Sequence, residues 1–158
     1  LQDELVELAV VGGQVDDDSI SMQEVMTERI VLVVRPEQYP ETSMGLDLLA
    51  QLPLVIRESG SGTRTAVDAA LQKNGVDPRQ LRVIAQLGSS EAVRRAVLSG
   101  AGAAFVSTLA VGHELSNGTL VELVVQGLEI NRSFYLAWRK GKSLSPAALE
   151  FMECVKQR

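Results

Sequence analysis

The chain has 158 residues, 46% of them hydrophobic and 22% charged, with a formal net charge of −5. That is enough apolar material for one core or two small lobes. An acidic chain of this kind is a poor nucleic-acid binder, because phosphate affinity needs Lys and Arg clustered on one face. The single cysteine, Cys154, excludes an internal disulfide and a thiolate metal cluster, and fits a reducing compartment. No apolar run approaches the roughly 20 residues of a membrane span. The chain begins at Leu1 without Met or a signal-like pattern, so it reads as a piece of something longer.

Along the chain, strand and helix patterns alternate. Leu8 to Val11 is a short apolar run ending at Gly12-Gly13, which predicts a buried strand and a turn. Asp16-Asp17-Asp18 lacks the spacing of a calcium loop and reads as solvated. Ile30 to Val34 is stopped by Pro36 and predicts a strand buried on both faces. Met44 to Gln51 reads as a short helix before Pro53. The strand Leu54–Ile56 then meets Ser59-Gly60-Ser61-Gly62-Thr63, and a helical pattern runs from about Thr65 to Asn74. Gly75 caps that helix and Pro78 forbids its continuation.

A second unit repeats this grammar. Leu81 to Ala85 predicts a strand, Gly88-Ser89-Ser90 a turn, and Glu91 to Leu98 a helix with Ser90 as N-cap. Ala92, Val93, Ala96 and Val97 share its apolar face, while Arg94 and Arg95 read as a solvated face or a partner surface. Ala103 to Val106 is another buried strand, and Ser107 to Leu115 a short helix ended by Asn117-Gly118. Strands follow around Leu120–Val125 and Ser133–Trp138. Ser145 and Pro146 open the last helix, whose Ala148, Phe151, Met152 and Val155 stand at i, i+3, i+4 and i+7.

Such alternation implies an α/β fold with a largely parallel sheet, in which ligands sit beyond the carboxyl ends of the strands. The Ser59–Thr63 and Gly88–Ser90 turns both leave a strand and enter a helix, so they should lie side by side. Backbone N–H groups and hydroxyls at a helix start suit a small polar or anionic ligand. Helix capping is the competing role for Ser61, Thr63, Ser89 and Ser90, and it uses one hydroxyl per helix. Arg64 could clamp an anion, although Asp68 one turn on favours an i,i+4 pair. Catalytic readings lack their parts. There is no P-loop lysine and no nucleophile-elbow spacing, and the only histidine, His113, lies on a surface helix pattern. Glu58 has no partner legible in the sequence, and no His, Cys and carboxylate set has metal-ligand spacing. Tyr135 and Trp138 read as core packing.

Five segments in order, "VELAVVGG", "MTERIVLVVRPEQYP", "LPLVIRESGSGTR", "QLGSSEAVRRAVLSGAGAAFVS" and "GTLVELVVQGLEINRSFYLAWRKGKSLSPAALEF", carry a specific resemblance. Together they resemble the effector-binding domain of the LysR-type transcriptional regulators. The resemblance implies a two-lobed fold like the type 2 periplasmic binding proteins, with mixed, mostly parallel sheets and an effector in the interlobe cleft. Residues 1–27 and 137–158 would form a first lobe, incomplete at its amino terminus. Residues 28–136 would form the second, with crossover hinge strands at its ends. The matching effector positions are Ser59, Gly60, Ser61, Gly62 and Thr63, then Ser89 and Ser90 beside Gly88. Gly12 matches a first-lobe strand end where some relatives carry a hydroxyl.

The resemblance further implies a non-enzymatic cytoplasmic sensor of a small anion or organic acid, with no cofactor, no metal and no membrane contact. A homodimer or homotetramer is expected. DNA would be reached only through a winged helix-turn-helix absent from these residues. A transport-type solute-binding protein of the same fold is the alternative.

Overall fold

The structure, a computed structural model, describes residues 6–156. Contacts divide it into two compact units. Glu28–Asn131 forms one, and the chain up to Thr27 joins the chain from Arg132 onward to form the other.

The larger unit is built on the end of β2 (Ile20–Val34) and on β6 (Ala104–Ser107), paired antiparallel with Ile30 opposite Ser107 and Val33 opposite Ala104. No residue from Ile30 to Val34 is more than 4% exposed, as the uninterrupted apolar run predicts. Alternate side chains point to opposite faces. Ile30, Leu32 and Val34 accordingly join a core with Leu49, Leu54 and Leu71, while Val31 and Val33 join another with Val93, Val97 and Val111.

Two strand–helix pairs cover this frame. β4 (Leu54–Arg57) leads to α1 (Gly62–Lys73), and β5 (Val83–Leu87) leads to α2 (Ser90–Leu98). α3 (Thr108–Asn117) follows β6 and ends at Gly118 in the left-handed conformation. The Met44–Gln51 helix resolves into a short strand, β3 (Ser43–Met44), and a single 3-10 segment over Leu46–Gln51.

The Leu120–Val125 strand divides into β7 (Val121–Glu122) and β8 (Val124–Val125), because its halves have different partners. β7 pairs antiparallel with β2, and β8 pairs parallel with β3. Leu123 sits buried at the break, its N–H donating to the Leu32 carbonyl at 2.9 Å. Parallel pairing is thus found in β3–β8 and β4–β5, whereas β2 pairs antiparallel with β6 and β7.

In the smaller unit β1 (Leu8–Val11) pairs antiparallel with β9 (Ile130–Arg139), Leu8 facing Trp138 and Val11 facing Tyr135. Tyr135 and Trp138 are half-buried there. The helix α4 (Pro146–Lys156) starts as its sequence predicts, with Ser145 Oγ accepting from Ala148 N–H at 3.3 Å. Its apolar stripe is wider than the surface that covers it. Met152 is buried, but Phe151, expected on the inner face, is 48% exposed.

β2 also starts ten residues before the apolar run. Its charged residues hide the strand pattern, and each finds a partner. The buried Glu28 carboxylate accepts from the Ser107 hydroxyl, Glu24 accepts from Thr27, and Arg29 forks onto Glu122 with two bonds of 2.8 Å.

β4 approaches β6 through one narrow point. Ala103 N–H donates to the Pro53 carbonyl at 2.9 Å, and Val55 N–H to the Ala103 carbonyl at 2.8 Å. A Cβ on the neighbouring Gly102 would run into the Pro53 carbonyl oxygen. Gly112, in contrast, lies exposed within α3 with open space around it. We expect Gly102→Ala to destabilise the chain by about 1–3 kcal/mol through this clash. Gly112→Ala should stabilise it by up to ~1 kcal/mol through helix propensity. Urea denaturation midpoints of the two variants, moving in opposite directions, check the pair.

Candidate functional site

β4 and β5 run parallel and adjacent, with Arg57 opposite Leu87, and Glu58 N–H continues the ladder to the Leu87 carbonyl at 3.1 Å. The turns that follow these strands therefore leave the sheet at the same edge, which brings the two polar segments together. In the first turn Ser59 and Gly60 are exposed, and Gly60 has φ +89°, a conformation that favours glycine.

Ser61 is the N-cap residue of α1 and is buried at 7% exposure. Its backbone caps the turn. The N–H donates to the Glu58 carbonyl at 3.2 Å, and the carbonyl accepts from Thr65 N–H at 2.9 Å. Its hydroxyl, however, makes no capping hydrogen bond. Helix geometry leaves the N–H groups of Gly62, Thr63 and Arg64 in the first turn, ahead of the first intrahelical donor. Thr63 is buried in the same turn. The helix begins at Gly62 rather than Thr65, so Gly62 and Thr63 belong to its first turn and not to a preceding loop.

Gly88, Ser89 and Ser90 are exposed. The N-cap of α2 is Ser89, whose Oγ accepts from Ala92 N–H at 3.1 Å. Ser90, expected in that role, is instead the first helical residue. The cap shifts by one because Ser89 keeps the extended backbone that a cap requires, with φ −149° and ψ 152°. The Ser90 hydroxyl has another task. It accepts from Arg57 Nη1 at 2.6 Å.

Arg57 is the residue of the candidate site that sequence reasoning missed. Its guanidinium forks onto Glu58, with Nε at 2.9 Å and Nη2 at 2.8 Å, while Nη1 reaches Ser90. One side chain at the end of β4 thus ties the first turn to the second. It also supplies the partner for Glu58 that was not legible in the chain. Hydrogen bonding from Arg57 pulls the Glu58 carboxyl down to about 2. Position was the available signal, since an arginine closing a strand just before a glycine turn points where the turn points.

Arg64 pairs with Asp68 one helical turn on, at 2.7 Å, as the i,i+4 spacing predicts. Both guanidinium groups beside the first turn are therefore held by carboxylates. The donors of this turn that no carboxylate holds are neutral, the Ser61 hydroxyl, which makes no capping bond, and the first-turn N–H groups. Val55, Ile56, Val67 and Phe105 complete a small pocket with Arg57, Thr63 and Arg64.

The remaining candidates lie elsewhere. Gly12 is exposed just beyond β1, within reach of Arg132 and Phe134, whose ring carries the Arg132 guanidinium 4.5 Å from its centroid. His113 is exposed on α3. Arg94, expected on a solvated face, is half-buried and paired with both Glu91 and Glu114, because α3 packs beside α2 and brings Glu114 to it. Among the described residues, no group of three or more His, Cys, Asp or Glu side chains could hold a metal.

The profile of the LysR substrate binding domain matches residues 1–158. The chain belongs to this family. A solved relative, the regulatory domain of Synechocystis PCC6803 CcmR in complex with 2-PG, has a TM-score of 0.85 and 26% identity. The match covers 99% of the LysR domain described here and 74% of that chain. The RuBisCO operon transcriptional regulator of Allochromatium vinosum is 36% identical over 95% of the domain and 49% of its own length. A protein of Anaeromyxobacter dehalogenans named as the phosphonates import ATP-binding protein PhnC is 35% identical over 99% of the domain and 32% of its own length. The domain therefore spans about a third to a half of these curated relatives.

The Arg57–Glu58 contact has a clear titration signature. A carboxyl lowered to about 2 keeps its pair intact above the ordinary carboxylate range and loses it only as pH falls through that value. Carboxyl-carbon NMR titration of Glu58 should show this low midpoint, and Arg57→Met should raise it toward the ordinary range, the backbone hydrogen bond at Glu58 keeping part of the shift. A midpoint indifferent to the substitution would assign the shift to another cause.

Proposed function

We propose that this LysR domain senses a small anion or polar organic acid at the two serine turns, and that Ser61 and Thr63 hold its negative end. The observation carrying this reading is the Ser61 hydroxyl, which occupies an N-cap position without capping. Ser89 and Ser90 contribute differently. The Ser89 hydroxyl is committed to its own helix, and the Ser90 hydroxyl to Arg57, so these two residues shape the wall. Ser59, Gly60 and Gly62 supply backbone and the conformational freedom of the turn. The binding of 2-PG by the CcmR regulatory domain supports a small-molecule ligand for this fold.

In the whole protein the ligand acts through its unequal affinity for two arrangements of the regulator. The strands β2 and β9, which each run from one unit into the other, are the natural hinges. A homodimer or homotetramer carries DNA-binding domains that lie outside these residues and works in the cytoplasm, in keeping with the regulator named among the relatives. No helix of the described residues is long and apolar enough to cross a membrane. The domain is not an enzyme in this reading. His113, the chain's one histidine, is exposed on α3. A transport-type solute-binding protein of the same fold is the second reading. The complete gene product separates the two, with a helix-turn-helix for the regulator and an export signal for the transporter.

Anion binding through neutral donors gives two expected results by calorimetry with 2-PG as probe. Ser61→Ala combined with Thr63→Val should weaken binding by about tenfold or more, the loss of two hydrogen bonds to a charged group. Thermal unfolding of the single variant Ser61→Ala should change little, because the Ser61 hydroxyl carries no cap. The affinity should also fall only gently between low and moderate salt, since no unpaired cation is involved. Unchanged affinity in the double variant would remove the turn from the binding site.

A further inference from the structure

The larger unit holds another cavity, of about 570 Å³, at the opposite ends of β4 and β5 from the serine turns. Pro53 immediately precedes β4 and Arg82 immediately precedes β5, and both line it. β4 is four residues long, so roughly 13 Å of strand separates this cavity from the first turn. Its volume falls within the roughly 300–1,000 Å³ of small-ligand pockets.

The chemistry of the lining is divided. Leu52 and Leu123 form a buried apolar floor, and Met44 and Leu48 extend it, with Leu48 43% exposed. Glu41 and Arg82 are exposed charges of opposite sign on the same lining. Arg57 and Arg64, beside the first serine turn, are each held by a carboxylate. Arg82 and Glu41 are paired neither with each other nor with any other described side chain. Two unpaired opposite charges beside an apolar floor complement a molecule that carries both charges and an apolar body.

We propose that this cavity is a second ligand site, and that it takes a small apolar amino acid. Arg82 binds the carboxylate through its planar fork, Glu41 accepts from the ammonium, and the side chain lies against Leu48, Leu52 and Leu123. The site is independent of the serine turns and stands or falls separately from the anion-sensing reading.

The test is an amide NMR titration of the 158-residue chain with L-phenylalanine, phenylpropionate and phenethylamine. Phenylalanine should give saturable shifts confined to the segments around Glu41–Pro53, Arg82 and Leu123. Arg82→Gln should weaken phenylalanine and phenylpropionate by about tenfold and leave phenethylamine unchanged. Glu41→Gln should weaken phenylalanine and phenethylamine and spare phenylpropionate. Both substituted residues are exposed, so the fold should survive, and Ser61→Ala with Thr63→Val should leave these shifts unaltered. The proposal is overturned by an absence of saturable shifts at millimolar phenylalanine, or by affinities that ignore both charge substitutions. Shifts in these segments on dilution alone would also overturn it, by showing that a second copy of the chain covers the cavity.

Discussion

The parallel pairing of β4 with β5 is the constraint from which the site follows. Parallel neighbours cannot be joined by a hairpin, so each must be followed by a connection that carries the chain back. Here the connections begin with α1 and α2, and both helices start at the edge where the strands end. A glycine and serine turn at the end of one strand would be an isolated cap. Two of them beyond adjacent parallel strands make a wall. The pairing itself depends on the close passage of β4 against the start of β6, where Gly102 leaves room for the Pro53 carbonyl.

Arg57 converts that adjacency into a fixed geometry. A guanidinium presents its donors in a rigid fork, and this one spends two of them on Glu58 and a third on Ser90. Its charge is compensated where it stands, as is the charge of Arg64 beside it. The wall therefore differs from a phosphate loop built around a lysine. In the proposed reading its attraction for an anion comes from hydroxyls and backbone N–H groups held in position, so selectivity rests on shape and hydrogen-bond direction more than on charge. Such donors lose little on reorganising when the ligand arrives.

The cores explain why the wall is steady. The end of β2 feeds side chains alternately into two clusters, and α1 and α2 each pack onto a different one through Val67 and Leu71 or Val93 and Val97. Each helix that presents an N-terminus is thus anchored by its own buried residues, and β2 connects the two clusters. The charged half of β2 behaves otherwise. Glu28 and Arg29 remain in the strand because Ser107 and Glu122 meet them there, an arrangement that no local pattern advertises.

Much of the architecture was legible in the chain because it is local. The apolar run at Ile30–Val34, the turn residues at Gly60 and Gly75, the Ser145-Pro146 helix start and the alternation of strands with helices each follow from neighbours in sequence. From these the α/β class, the order of elements and the adjacency of the two serine turns could be expected. Residues far apart in sequence decided the rest. The N-cap of α2 moved from Ser90 to Ser89, and Ser90 was left for Arg57, thirty-three positions away. Arg94 turned inward toward Glu114, Phe151 fell outside the covered stripe, and the Leu120–Val125 run divided between two partners. By itself the sequence determined which segments are strands, helices and polar turns, since propensity and periodicity act over a few residues. Only the tertiary structure decided which partner each hydroxyl of the serine turns takes, because a hydrogen bond depends on what the fold brings within 3 Å or so of the donor.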